Sequence, residues 1–149
     1  CFAKGFTKQD VEDIYAVRES LEELAVVWAV ERISPEEIAA LEEQCEMMEF
    51  YTKKMDRKKV LELNAGFHDV IYASARSRFL AQVLRSYKAY IDKTTKSIFY
   101  EQSYLESILK EHRAILAAIK LRDKERAIFA MKQHLIASQQ RAERIWNVK

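Results

Sequence analysis

The chain has 149 residues, with 25 Lys and Arg against 23 Asp and Glu, and only 2 glycines and 1 proline. That length suits one domain around a single core, and so few turn-forming residues exclude hairpin-built β folds and leave a helical one. The net charge of +2 is spread over helix faces rather than gathered into a stripe, and no apolar run approaches the ~20 residues of a membrane span.

Residues 1–6 carry no periodicity, contain one of the two glycines and read as a connector; residues 7–149 read as the folded domain. The chain begins at Cys1 rather than Met, as a fragment lacking an N-terminal part would. Thr7 with Asp10 is an N-cap arrangement. After it, Val11, Ile14, Tyr15, Leu21, Leu24, Ala25, Trp28 and Ala29 form the apolar side of a long helix ending near Ile33. Ser34-Pro35-Glu36-Glu37 combines a capping serine, proline at the first helical position and glutamate three residues after the cap. It opens a second helix through Ile38, Leu41, Cys45 and Met48. The basic residues Lys53, Lys54, Arg57, Lys58 and Lys59 fall at the next junction with no aromatics between them, which fits a solvated turn better than a nucleic-acid surface.

Asp56 caps a third helix carrying Val60, Leu63, Asn64, Phe67, His68, Ile71 and Tyr72. Gly66 inside it implies close helix packing, or space needed by a ligand or neighbouring backbone. The period breaks over 74–78, and a fourth helix follows from Phe79 to about Tyr100. Ser103 with Glu106 reads as a second capping box opening a helix from Tyr104 to Leu121, and Asp123 caps a sixth helix containing Met131, His134 and Leu135. The expected fold is all-α, an antiparallel bundle of about six helices. The two cysteines, Cys1 and Cys45, make no disulfide framework, and a reducing cytoplasm is the expected home.

The chain has three histidines, His68, His112 and His134, each among apolar residues of a different helix. One such histidine is ordinarily a hydrogen-bonded core residue. Three facing one core would repel one another if protonated, whereas a divalent cation would keep them neutral and satisfy one nitrogen each. Asn64 stands one helical turn before His68, so its amide oxygen can join the imidazoles. Neutral nitrogens plus an oxygen suit Zn2+, Ni2+, Mn2+ or Fe2+ without choosing among them. If these ligands take one hemisphere, the open positions can receive a small organic acid.

The order of these features resembles the ligand-binding C-terminal domain, FCD, of the FadR subgroup of GntR-type transcription regulators. Ile14-Tyr15-Ala16-Val17-Arg18-Glu19-Ser20-Leu21-Glu22 is similar to the family's first-helix pattern. Phe67-His68, Glu111-His112-Arg113-Ala114-Ile115 and Met131-Lys132-Gln133-His134-Leu135 are similar to its F-H, E-H-x-x-I and M-x-x-H-L motifs. The resemblance covers nearly the whole chain. It implies a metal held by the three histidines and an oxygen ligand one turn before the first, where the family commonly has Asp and this chain has Asn64. It also implies that Arg18 holds an acidic effector by its bidentate fork; the plainer reading pairs Arg18 with Glu22 on a helix surface. Tyr87, Tyr90, Thr94 and Ser97 of the fourth helix are the further expected pocket residues. The partners implied are a second copy of the chain and DNA, the latter bound only through an N-terminal winged helix-turn-helix absent from these residues.

Two other functions fit less well. A mononuclear metalloenzyme needs a general base, yet Asp69 and Glu111, next in sequence to His68 and His112, point about 100° away around their helices. A structural or dimerisation bundle without metal would instead have three internally satisfied histidines.

Overall fold

Six helices make up the computed structural model, which describes residues 7–94 and 102–147, with side-chain surroundings for 7–90 and 102–143. They are α1 (Lys8–Arg32), α2 (Pro35–Lys53), α3 (Arg57–Ser74), α4 (Arg78–Thr94), α5 (Gln102–Lys120) and α6 (Lys124–Asn147). Among the described residues there is no strand, and no helix is long and apolar enough to cross a membrane.

The helix starts follow the chemistry read from the sequence. Thr7 and Ser34 each accept the amide of the third helical residue, Asp10 or Glu37, whose carboxylate accepts the cap's own N–H. Asp56 accepts from the Lys59 amide at 3.1 Å, and Asp123 from the Arg126 amide at 3.1 Å. The fifth helix departs from expectation. It already includes Gln102 and Ser103, so Ser103 is an interior residue rather than the cap. The Gln102 amide reaches back to the Thr52 carbonyl at 2.8 Å, tying this helix to the end of α2. The fourth helix starts one residue early, at Arg78, with the Ser77 hydroxyl accepting the Leu80 amide.

Helix ends in this glycine-poor chain are turned by other residues. Met55, Arg76 and Arg122 have φ of 59°, 60° and 53°, in the left-handed region usually given to glycine. Asp56 N–H bonds to the Tyr51 carbonyl and Asp123 N–H to the Ala118 carbonyl, the six-to-one closure of a Schellman turn.

α2 packs against α3 and α5, while α1 packs against α6, α3 and α4. Every helix feeds the main core: Ala25, Val26 and Ala29; Leu41 and Cys45; Phe67 and Ile71; Leu84; Ile115 and Ile119; Met131 and Leu135. Each fully buried Leu, Ile or Phe contributes about 1.5–3 kcal/mol. Two smaller apolar clusters lie beyond, Val11, Tyr15 and Ala142 in one, and Met48, Val60, Leu105, Ile108 and Leu109 in the other. Along α1, α3, α5 and α6 the change from one cluster to the next falls at Arg18 and Glu22, Asn64 and His68, His112, and His134 and Arg141. The bundle therefore carries a polar layer between apolar ones.

Candidate metal and effector site

His68 of α3, His112 of α5 and His134 of α6 meet in that layer. Each offers a nitrogen, and the three nitrogens lie within 4.8 Å of one another. All three rings are buried, His68 and His112 completely. His112 is stacked on Phe67, with ring centroids 4.4 Å apart and planes 15° from parallel, so its orientation is set by its neighbour in the F-H pair. Burial pushes the His68 and His112 imidazoles well below the ordinary histidine range, with the other ring or rings and the Lys88 charge acting in the same direction. Burial also lowers His134, partly opposed by Glu111. The rings are thus neutral at neutral pH, the form that ligates a metal.

These donors fit a cation. His68 Nε2 and His134 Nε2 are 3.1 Å apart, close to the roughly 3 Å between two nitrogens that each sit about 2.0–2.1 Å from one zinc ion. Among the described residues, His68 Nδ1, both nitrogens of His112 and Asn64 Oδ1 are buried without a hydrogen-bond partner. Each such atom costs about 1–3 kcal/mol when left unsatisfied. A bound ion would relieve Asn64 Oδ1 and one nitrogen of His112.

Two carboxylates flank the rings. Glu22 accepts from Arg18 Nε at 3.0 Å and from the Tyr72 hydroxyl at 2.9 Å, all three side chains being buried. Burial works against the Arg18 charge, but Glu22 outweighs it and holds the guanidinium firmly protonated. Burial and the Glu22 charge push the Tyr72 hydroxyl well above its usual range, so it stays a donor. On the other side Glu111 accepts from His134 Nδ1 at 2.7 Å and from both terminal nitrogens of Arg141 at 2.8 and 2.9 Å. Burial alone would raise the Glu111 carboxyl, yet Arg141 and His134 bring it below the ordinary carboxylate range. Lys88 extends the inward side of α4 one turn after Leu84, with its ammonium nitrogen buried.

The structure brings together the three histidines, with Asn64 one turn from His68 and Arg18 close enough for its charge to act on His68 and His134. Arg18 is paired with Glu22, as the plainer reading had it, but inside the bundle rather than on its surface. Tyr87 and Tyr90 line a surface groove of about 460 Å3 with Phe79, Gln82, Val83 and Ser86, on the outer side of α4. The Thr94 side chain and Ser97 lie outside the described residues. Sequence reasoning missed Glu22, Tyr72, Lys88, Glu111 and Arg141 as site residues. Helical spacing could have found two of them: Tyr72 is one turn after His68 and Arg141 two turns after His134. Glu111 was judged against its own helix, where it diverges from His112, whereas its partner is on the next one.

The domain matched by a family profile is the FCD domain, over residues 13–137. The chain belongs to the FCD family. The FCD chain is 31% identical over 134 residues to YdhC of Bacillus subtilis (strain 168), described as an uncharacterized HTH-type transcriptional regulator, covering 89% of this chain and 58% of that protein. It is 25% identical over 130 residues to the HTH-type transcriptional regulator McbR of Escherichia coli (strain K12), covering 83% and 59%. It thus spans less than two thirds of the length of these curated relatives. The solved structure of E. coli McbR/YncC has the same fold, with a TM-score of 0.80 and 21% identity over 95% of this chain and 68% of that one. Streptococcus agalactiae GntR gives 0.75 and 20% over 91% and 62%. Both curated relatives are described as HTH-type transcriptional regulators.

Proposed function

We propose that this FCD domain senses a small organic acid through a divalent metal held by His68, His112, His134 and Asn64. The observation that carries the reading is the convergence of three buried, neutral imidazoles, with neither nitrogen of His112 nor Asn64 Oδ1 hydrogen-bonded among the described residues. When bound, the ion would supply open positions for a carboxylate. Arg18, held by Glu22 and Tyr72, supplies a fixed positive charge beside the rings. Asn64 is a neutral donor where the family commonly has a carboxylate, so the ion keeps more of its charge for an anionic ligand.

Effector binding would act on DNA through a winged helix-turn-helix that precedes this domain, with residues 1–6 as the connection and a second copy of the chain completing a dimer. A reducing cytoplasm suits that role. Ligand contacts that differ between two packings of the helices would shift the equilibrium between them and so change operator affinity. Protein purified without a histidine tag should contain a stoichiometric divalent metal, greatly reduced in His68→Ala, His112→Ala and His134→Ala. Unchanged metal content in all three variants would sink the site.

A second reading is a metal-free bundle. The 3.1 Å contact between His68 Nε2 and His134 Nε2 also suits a hydrogen bond between neutral rings, and Glu111 already satisfies His134 Nδ1. It leaves His112 without a hydrogen-bond partner among the described residues, which is why the metal reading is preferred. Absence of metal from the purified protein, together with an unfolding temperature indifferent to zinc and to chelator, would decide for it.

A further inference from the structure

We infer that Glu111, clamped by Arg141, is a positioning residue that fixes His134 as its Nδ1–H tautomer and so aims the Nε2 lone pair at His68 and His112. Three contacts carry this. Glu111 Oε1 lies 2.7 Å from His134 Nδ1, and Arg141 grips the same carboxylate with Nη1 on Oε2 at 2.8 Å and Nη2 on Oε1 at 2.9 Å. An ionised carboxylate only accepts, so the shared hydrogen belongs to the imidazole. Arg141 is itself buried and cannot let the carboxylate swing into water. The planar fork restrains both oxygens at once, which a single lysine contact would not do.

The tautomer of His134 then dictates that of His68. With its proton on Nδ1, His134 presents a bare Nε2, and His68 Nε2 is 3.1 Å away. In the metal-free chain His68 must therefore carry its proton on Nε2 and donate it to His134, which leaves His68 Nδ1 bare; that atom has no partner among the described residues. Hydrogen bonds run in one direction along this chain: Arg141 to Glu111, His134 to the same Glu111, and His68 to His134. Of the three rings, His134 alone is set for ligation by Nε2 before any ion arrives. His68 must move its proton from Nε2 to Nδ1 to ligate through the same atom, with no net proton released. His112, held by stacking on Phe67, has neither nitrogen committed.

The metal-affinity arm of the test rests on the site proposed above; the tautomer arm does not. Nitrogen-15 imidazole spectra of the chelator-treated protein at neutral pH should show His134 protonated on Nδ1 and His68 on Nε2. Glu111→Ala should release His134 into a mixture of tautomers. Glu111→Gln, which keeps an oxygen able to accept from Nδ1–H, should fall between. Calorimetric titration with Zn2+ or Mn2+ should show binding weakened about 10–100-fold in Glu111→Ala, the usual effect of removing a carboxylate behind a ligating histidine. A merely structural role would lower stability without moving the tautomer. An Nε2–H His134 in the unsubstituted protein overturns the inference, as does an unchanged His134 spectrum in Glu111→Ala with native circular dichroism. If neither ion binds the unsubstituted protein, the site reading fails and the spectra alone decide the role of Glu111. Should Glu111→Ala not fold, the spectrum of the unsubstituted protein and Glu111→Gln decide it.

Discussion

At residue scale Gly66 is the clearest place where the structure chooses between two readings of one letter. A Cβ added there would come 3.1 Å from Gln44 Oε1 and 3.3 Å from Gln44 Nε2, across the α2–α3 packing. The space is therefore filled by a neighbouring side chain, and no ligand needs it. Gln44 Oε1 has no hydrogen-bond partner among the described residues, so nothing on that atom resists a shift of a few tenths of an ångström. Glycine within a helix costs about 1 kcal/mol relative to alanine. Gly66→Ala should therefore raise stability by about 0.5–1 kcal/mol in urea unfolding, with the helices still in contact. Loss of stability would mean that Gln44 is more tightly held than its contacts indicate.

At the scale of elements, the helix junctions are held by arginines that reach between neighbours. Arg32 donates to the Ala75 carbonyl at 2.7 Å, and Arg122 to the Val30 and Ile33 carbonyls at 2.9 Å each. Arg76 binds both oxygens of Glu37 at 2.8 Å, joining the end of α3 to the start of α2. That pairing, with help from Ser34, depresses the Glu37 carboxyl to about 2 despite some burial. A carboxyl whose pKa is lower folded than unfolded adds stability above its unfolded value, and that stability is lost as pH falls toward the folded one. The urea midpoint should therefore fall on acidification from the ordinary glutamate value of 4.5 toward about 2, and the fall should be shallower in Glu37→Gln. Arg76 is half-exposed, so salt should shrink the difference. Equal slopes for the two proteins would show that the pair adds nothing to acid stability.

For the molecule as a whole, four of the six helix starts were legible because they carry their own capping chemistry: Thr7, Ser34, Asp56 and Asp123 act locally. The start of α5 was misread because Gln102 is fixed by Thr52, 50 residues away. The histidines could be placed by periodicity, but the carboxylates behind them depend on which helices pack side by side, which no single helix encodes. The same polar layer sets function against stability. His112 sits there with neither nitrogen hydrogen-bonded among the described residues, so without metal it is a liability worth about 1–3 kcal/mol per unsatisfied atom. His112→Leu would fill much of the same space with apolar atoms, and should make the chelator-treated protein more stable, read as a higher unfolding temperature. In the unsubstituted protein, zinc at about 100 times its Kd should add about 2.7 kcal/mol, or about 5–10 °C for a domain of this size. His112→Leu should abolish that increment. His134→Ala should behave differently, lowering stability even without metal, because it strands one contact of the Glu111 carboxylate inside the bundle. If His112→Leu is instead destabilised in chelator while keeping the zinc increment, then His112 is a packed core residue and the ion, where one binds, does not use it.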